Sequence, residues 1–257
     1  KIFKDENKFI LENEILKNES SLYITSDYLN NILVLTYREY SDLVTCDMGN
    51  DVLKNIAKLI SNFHKKKYID EGKYKETSLK KILEYIPSLN NADVLSVGSN
   101  NGSELYQIFN EHSDMNFDVI EISETAVLNG RELFPEINFI CQSMDVFEPN
   151  HNYYDIYLNL RAAYCAGNDL DNIVKKAYDC LKSHGVMVFS ISNGYIDVSN
   201  NCRKIIKGVY NPTTQECSNI ETSRNLEWVR DAVLTNGFTE IEIYDIDSEI
   251  LLISRKN

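Results

Sequence analysis

Hydrophobic and polar positions follow two different rhythms along the chain, and the change falls near residue 75. Before that point, runs rich in β-branched and aromatic residues at Leu22–Tyr28 and Ile32–Tyr37 flank Asn30-Asn31, which predicts a β-hairpin. Apolar residues then recur at helical spacing from Val52 to Phe63. We therefore interpret residues 1–75 as an N-terminal extension or cap that contains a hairpin and a helix.

From residue 76 onward, short apolar runs alternate with amphipathic stretches. The apolar runs predict strands at Asp93–Val97, Phe117–Ile122, Asn138–Cys141, Asp155–Leu160, Val186–Ile191, Thr239–Ile246 and Glu249–Ser254. The amphipathic stretches predict helices that begin near residues 79, 103, 123, 170 and 226. This alternation is typical of βαβ units, and it predicts a parallel sheet covered by helices on both faces.

The end of the chain modifies that picture. Only Asp247 and Ser248 separate the last two predicted strands. A link this short joins antiparallel strands, because parallel strands need a longer crossover connection. The sequence thus predicts an α/β fold: a Rossmann-like, doubly wound mixed sheet with a reversed strand in a C-terminal hairpin. A polar stretch, 195–223, interrupts the alternation, and we assign residues 76–257 to one domain.

Composition and charge narrow the class of protein. With 39 acidic and 26 basic residues the formal net charge is −13, which argues against a nucleic-acid partner. No apolar run reaches the roughly 18 residues that a membrane-spanning helix needs, and the charged start lacks the apolar core of a secretion signal. The cysteines form no C-x-x-C pair, and no spacing indicates a metal site. We expect a cytoplasmic protein with reduced thiols, no metal and no membrane contact.

The segment from Asp93 to Leu105 carries the candidate chemistry. It combines an apolar strand, a turn with Gly98 and Gly102, and the start of a helix, and glycine lets a backbone approach a ligand closely. Glu121 ends the next predicted strand, where ligands of open α/β sheets bind and where a carboxylate can accept both hydrogen bonds of a ribose diol. The glycine spacing fits the G-x-G-x-x-G motif of NAD-binding enzymes poorly.

These motifs resemble those of the class I S-adenosylmethionine-dependent methyltransferases over residues 76–257. The matching stretches, in the family's order, are 96–102, 119–123, 139–144, 154–159 and 181–189. The resemblance implies S-adenosylmethionine as the cofactor and S-adenosylhomocysteine as the product. The cofactor-binding residues that it implies are Gly98, Ser99, Asn100, Gly102, Glu121, Ile122, Ser143, Met144 and Asn159.

Three residues depart from the family pattern. Ser96 stands where the first motif has an acidic residue, and Asn100 stands where it has its middle glycine. Ser143 replaces the aspartate that binds the adenine amino group, and Asp145 could take over that role after a small shift. The missing acid at position 96 leaves an altered or lost activity open.

Arg161 and Tyr164 follow the fourth predicted strand of this domain and are the candidate catalytic residues. Arginine suits phosphate and carboxylate groups. Tyr164 could orient or deprotonate an acceptor, although an ordinary tyrosine pKa of about 10 makes it a poor base without help. The resemblance implies methyl transfer, and we expect the acceptor to be an O or N atom of a small molecule. The basic run Lys65–Lys67 and Arg161 favour an anionic acceptor. Sugar phosphates, nucleotide-linked precursors and carboxylates are the classes we consider.

Three alternatives remain open at this point. The first is a methyltransferase that acts on protein side chains. The second is an aminopropyl-transferase-like enzyme that uses decarboxylated cofactor on the same fold. The third is a non-catalytic, methyltransferase-like partner subunit, which the motif departures would allow. For the oligomeric state, we consider a homodimer.

Overall fold

The N-terminal part of the chain contains an antiparallel sheet and a helix. The structure is a computed structural model that describes residues 2–5, 8–11, 22–27, 32–35, 51–72, 82, 91–160, 162, 169–193, 195–197, 204–206, 208–246 and 249–257. The first four strands pair antiparallel in chain order: β1 (Ile2–Asp5), β2 (Lys8–Leu11), β3 (Leu22–Asp27) and β4 (Ile32–Leu35). The predicted hairpin is therefore β3–β4, and the structure adds β1 and β2, which are too short to show a period in the sequence.

A helix leads from this sheet toward the larger part of the molecule. Helix α1 (Asp51–His64) continues without a break into a π-helical segment, Lys65–Asp70. Tyr68, beside the basic run, is buried in the hydrophobic core. The predicted domain boundary near residue 75 lies outside the described residues, as does the helix predicted near residue 79 apart from Ile82.

The larger part of the chain alternates strands and helices as predicted. In chain order its elements are β5 (Asp93–Val97), a 3-10 turn (Ser103–Leu105), α2 (Tyr106–Glu111), β6 (Asn116–Glu121), α3 (Glu124–Leu133), β7 (Asn138–Cys141), β8 (Tyr154–Leu160), α4 (Leu170–Cys180), β9 (Leu181–Ser192), β10 (Tyr195–Asp197), β11 (Lys204–Ile206), β12 (Tyr210–Asn211), β13 (Glu216–Cys217), α5 (Ile220–Thr235), β14 (Thr239–Ile246) and β15 (Glu249–Arg255).

Seven of these strands form one mixed sheet. Their order is β14-β15-β9-β8-β5-β6-β7. The five strands from β5 to β9 are parallel to one another, whereas β15 runs antiparallel to both β9 and β14. The predicted mixed sheet with a reversed strand in a C-terminal hairpin is therefore confirmed.

Two hydrophobic layers cover the sheet, one on each face. Along β8, Ile156, Leu158 and Leu160 belong to the layer that contains residues of α2 and α3. Tyr157 belongs to the opposite layer, which contains the apolar residues of α4 and α5. Each large apolar side chain that is fully buried in these layers contributes about 1.5–3 kcal/mol. This doubly wound arrangement fixes the carboxyl ends of the parallel strands along one edge, where the candidate site lies.

Candidate functional site

The loop after β5 turns through residues with positive φ. Gly98, Asn100 and Gly102 have φ values of 70°, 51° and 74°. Asparagine is one of the few non-glycine residues that adopt this left-handed conformation readily. Asn100 can therefore replace a glycine without altering the path of the loop, which is pinned to β6 by the bond from the Gly98 N–H to the Ile120 carbonyl at 2.8 Å.

The two glycines of the loop are required by close packing within the protein. A Cβ atom built on Gly98 would lie 2.3 Å from the Cβ of Ala162, which comes just after β8. A Cβ atom on Gly102 would lie 3.0 Å from the ring of Phe139 in β7. Gly98 thus allows Ala162 to lie against the loop, and Gly102 allows the loop to approach the sheet.

Glu121, at the end of β6, is held between the loop and helix α3. Its Oε2 accepts the Asn100 N–H at 2.8 Å, and its Oε1 accepts the Ser123 N–H at 3.0 Å. Ser123 caps α3 by accepting the Ala126 N–H on its Oγ at 3.2 Å. The carboxylate is only 5% exposed. It is therefore fixed in orientation before any ligand arrives, and half-buried Ile122 follows it on the way to the helix.

Ser96 occupies the position of the first-motif acid on β5. It is fully buried, and its hydroxyl is hydrogen-bonded to that of Ser99. The side chains of Ser96 and Ser99 are therefore joined to each other, and this part of the loop contains a neutral pair where the family pattern has a charge.

The segment after β7 presents a second carboxylate near the loop. Asp145 is oriented by Ser143, whose Oγ donates to Oδ2 at 3.2 Å and accepts the Asp145 N–H at 3.3 Å. The other oxygen, Oδ1, is buried and has no hydrogen-bond partner among the described residues. The methyl carbon of Met144 lies 3.7 Å from the Cβ position of Gly98, so this segment reaches the loop.

Asn159 lies on β8, directly beside β5 in the sheet. It is fully buried, and it follows Tyr157 by two residues, so both side chains lie on the same face of the strand. Burial raises the pKa of the Tyr157 hydroxyl. Asn159 thus shares the face of Tyr157, which is covered by α4 and α5. The candidate catalytic residues Arg161 and Tyr164 lie outside the described residues.

The structure brings most of the predicted cofactor-binding residues to one place. The loop residues Gly98, Ser99, Asn100 and Gly102 and the carboxylate of Glu121 belong to one hydrogen-bonded unit. Ile122, Ser143 and Met144 border this unit, and Asn159 is the last residue but one of the neighbouring strand β8. Strand β5 lies between β6 and β8, where the strand order reverses, and open α/β sheets bind ligands at such a point.

Two further residues, Ser61 and Lys176, contact this site, and no sequence motif identifies them. The Ser61 Oγ in α1 donates to the Asn100 Oδ1 at 3.0 Å. The Lys176 Nζ in α4 donates to the carbonyls of Asp145 and Phe147 at 2.6 and 2.9 Å. A sequence signal exists only for Ser61, which lies on the apolar stripe of α1 and is therefore expected to be buried.

The described part of the chain forms neither a metal-binding cluster nor a membrane-spanning helix. There, no group of three His, Cys, Asp or Glu residues is arranged to hold a metal ion. Among the helices that the structure describes, none has the length and apolar character to cross a membrane.

Comparisons with known proteins identify the fold. No family model and no curated protein matches the sequence. An S-adenosylmethionine-dependent methyltransferase from Aquifex aeolicus matches with 14% identity and a TM-score of 0.54, over 75% of this chain and 96% of that chain. The [4+2]-cyclase SpnF matches with 12% identity and a TM-score of 0.52, over 69% of this chain and 79% of its own.

A third match contains ligands. It is an N-methyltransferase from Haemonchus contortus in complex with phosphomonomethylethanolamine and S-adenosylhomocysteine, with 12% identity and a TM-score of 0.51. The match covers 69% of this chain and 52% of that chain. The chain therefore has the fold of the class I S-adenosylmethionine-dependent methyltransferases.

Proposed function

We propose that this chain, which has the class I methyltransferase fold, binds S-adenosylmethionine and transfers its methyl group to an O or N atom of a small molecule. The observation that carries the proposal is the Glu121 carboxylate. It ends the strand next to the glycine loop, and two backbone N–H groups hold it in place. A fixed carboxylate at this point is suited to accept the two hydroxyl groups of a ribose.

The segment after β7 fits the adenine end of the cofactor. The Asp145 Oδ1 is a buried acceptor without a hydrogen-bond partner among the described residues, and such a group is costly unless something donates to it. The adenine amino group is a donor of the right kind. We therefore assign amino-group recognition to Asp145, with Ser143 as the residue that orients it.

The glycine loop fits the methionine end with one difference from the family pattern. The Ser96–Ser99 pair is neutral, so it provides no carboxylate for the ammonium group. Gly98 is half-buried and keeps the backbone of the loop accessible. We infer that backbone groups of the loop hold the amino-acid end, and that this end contributes less to affinity than a carboxylate at position 96 would.

For the acceptor, we propose a small anionic molecule that pairs with Arg161. Arg161 stands in the chain between Leu160, which ends β8, and Ala162, which lies against Gly98. The Haemonchus contortus neighbour was solved with phosphomonomethylethanolamine, so a phosphorylated acceptor is compatible with this fold. We assign Tyr164 the role of orienting the acceptor.

When bound, the cofactor supplies an electrophilic methyl group. Glu121 and Asp145 would hold the cofactor, and Arg161 would hold the acceptor for an in-line displacement at that methyl group. The protein's part is alignment and charge placement, which can account for a large share of the barrier reduction in such displacements.

Calorimetric titration with S-adenosylmethionine and S-adenosylhomocysteine tests the proposal, with NAD as the negative control and Glu121→Ala as the variant. Micromolar binding that the variant loses would support it, and a screen of phosphorylated and carboxylated acceptors would follow. A folded protein that binds neither ligand would refute it.

A second candidate function is aminopropyl transfer, which the neutral Ser96–Ser99 pair favours. The same titration separates the two functions when decarboxylated S-adenosylmethionine is included. Tighter binding of the decarboxylated form would favour aminopropyl transfer over methyl transfer.

A further inference from the structure

Helix α1 belongs to the N-terminal extension, yet it is hydrogen-bonded to the centre of the proposed cofactor loop. Ser61 is fully buried, and its Oγ donates to the Asn100 Oδ1 at 3.0 Å. Its carbonyl accepts the Asn101 Nδ2 at 2.9 Å. One residue of α1 therefore contacts the side chains of two consecutive loop residues.

Asn101 uses its whole side-chain amide to brace the loop. Its Nδ2 donates to the Ser61 carbonyl and, at 3.0 Å, to the Asn129 Oδ1 in α3. Its Oδ1 accepts the Ser103 N–H at 3.2 Å. Both amide hydrogens and the carbonyl oxygen are thus committed to the protein, so Asn101 ties α1, α3 and the 3-10 turn together.

The geometry of the helix changes at the same place. In an α-helix the Ser61 carbonyl would be the acceptor for the Lys65 N–H. Asn101 donates to that same carbonyl, and the segment that follows, Lys65–Asp70, is π-helical. Side chains that compete for helix carbonyls disturb helical geometry locally, and π-helical turns are frequent at functional sites.

Asn100 connects this contact to the Glu121 carboxylate. Its side chain accepts from Ser61, and its backbone N–H donates to the Glu121 Oε2 at 2.8 Å. Asn100 also holds a left-handed backbone conformation with φ of 51°. The hydrogen bond from Ser61 therefore fixes both the loop and the Asn100 N–H, which orients the Glu121 carboxylate.

We propose that Ser61 is a positioning residue for the cofactor loop, so that α1 forms part of the cofactor site. This inference rests on the proposed function for its ligand but on the described hydrogen bonds for its mechanism. Without the Ser61 hydroxyl, the loop would spend part of its time in conformations that do not orient Glu121. The apparent affinity for the cofactor would fall in proportion to the fraction of molecules whose loop holds the binding conformation.

The test compares Ser61→Ala with Asn62→Ala, a matched change at the next residue, which is exposed. One hydrogen bond of ordinary net strength corresponds to roughly a tenfold shift in such an equilibrium. We expect the Kd for S-adenosylmethionine to rise in Ser61→Ala, by at most about tenfold, and to stay unchanged in Asn62→Ala. We also expect the Asn100 amide to exchange its hydrogen about tenfold faster in the unliganded Ser61→Ala protein.

A double-mutant cycle with Asn100→Gly separates positioning from general destabilisation. Glycine keeps the left-handed conformation but removes the side-chain acceptor. The effects of the two substitutions on the Kd and on amide exchange should therefore not add. Additive effects would overturn the inference. Asn100→Gly alone should also speed exchange in the loop, which keeps the test decisive even if Ser61→Ala fails to fold.

Two outcomes separate this inference from the proposed function. If the wild-type protein does not bind S-adenosylmethionine, the function fails, and the exchange measurement still decides the role of Ser61. If the wild type binds and Ser61→Ala matches Asn62→Ala in both affinity and exchange, the inference fails while the function stands.

Discussion

Replacement of Glu121 by glutamine preserves the shape of the side chain but removes one of its two acceptor oxygens. In the structure, one oxygen accepts the N–H of Asn100 and the other accepts that of Ser123. A glutamine amide can accept only one of these bonds. Its NH2 group must then face the other backbone N–H, so two donors oppose each other in a buried place. Glu121→Gln should therefore destabilise the protein even when no cofactor is present.

The size of the effect follows from the two bonds. A hydrogen bond to a charged group contributes about 1.5–3 kcal/mol, and a buried donor left without an acceptor costs about 1–3 kcal/mol. These two quantities describe overlapping losses and are not summed. Because Glu121 is 5% exposed, water cannot readily replace the missing acceptor. We expect the free energy of unfolding to fall by about 2–3 kcal/mol, which a domain with an ordinary stability of about 5–15 kcal/mol survives.

Urea unfolding followed by circular dichroism measures this loss. Glu132→Gln is the matched control, since it makes the same chemical change at an exposed position of the adjacent helix. We expect the control to stay within about 0.5 kcal/mol of the wild type. Equal stabilities of the two variants, at equal m-values, would show that the carboxylate is not held as described.

Three further predictions concern the rest of the site and the core. Lys176→Met removes the hydrogen bonds to the Asp145 and Phe147 carbonyls in the segment after β7. It should weaken S-adenosylmethionine binding about tenfold in calorimetry. The control Lys175→Met, at an exposed position, should not weaken binding. Gly98→Ala should lower the midpoint of thermal unfolding more than Gly237→Ala. Both glycines have positive φ, but only at Gly98 would the new Cβ lie 2.3 Å from another atom, the Ala162 Cβ. Burial raises the pKa of the Cys180 thiol to about 12. The unfolded thiol therefore ionises first as the pH rises, and the free energy of unfolding should decline above a pH of about 8.5, less steeply in Cys180→Ala when measured by urea at pH 8 and 10.

Strand positions could be predicted from the sequence where local pattern decides them. The bounds of β5, β7 and β14 match the predicted runs, because each is a short apolar stretch bordered by polar or turn residues. The start of α5 could not be placed in this way. It begins at Ile220, six residues before the predicted start at residue 226, because the Asn219 side chain accepts the Thr222 N–H and caps the helix inside a polar stretch.

The candidate site divides along the same line. The glycine loop and Glu121 belong to a continuous strand–turn–helix–strand unit, so a sequence motif can identify them. The contacts of Ser61 with Asn100 and of Lys176 with Asp145 join residues 39 and 31 positions apart. Such contacts arise only when helices pack on the finished sheet, and no local pattern encodes them.

The three departures from the family motif share one physical consequence. Ser96, Asn100 and Ser143 each form a side-chain hydrogen bond within the protein, to Ser99, Ser61 and Asp145 respectively. Each replacement therefore exchanges a feature of the family motif for a bond that stiffens the loop or orients a neighbour.

Stiffening has a thermodynamic use, since a loop already fixed in its binding conformation loses less conformational entropy when a ligand arrives. A missing charge at position 96 can thus be offset by preorganisation at Asn100 and Asp145. The same fold includes a [4+2]-cyclase, so the fold does not determine the reaction. The affinity measured for this chain will therefore depend on these internal hydrogen bonds as well as on the residues of the motif.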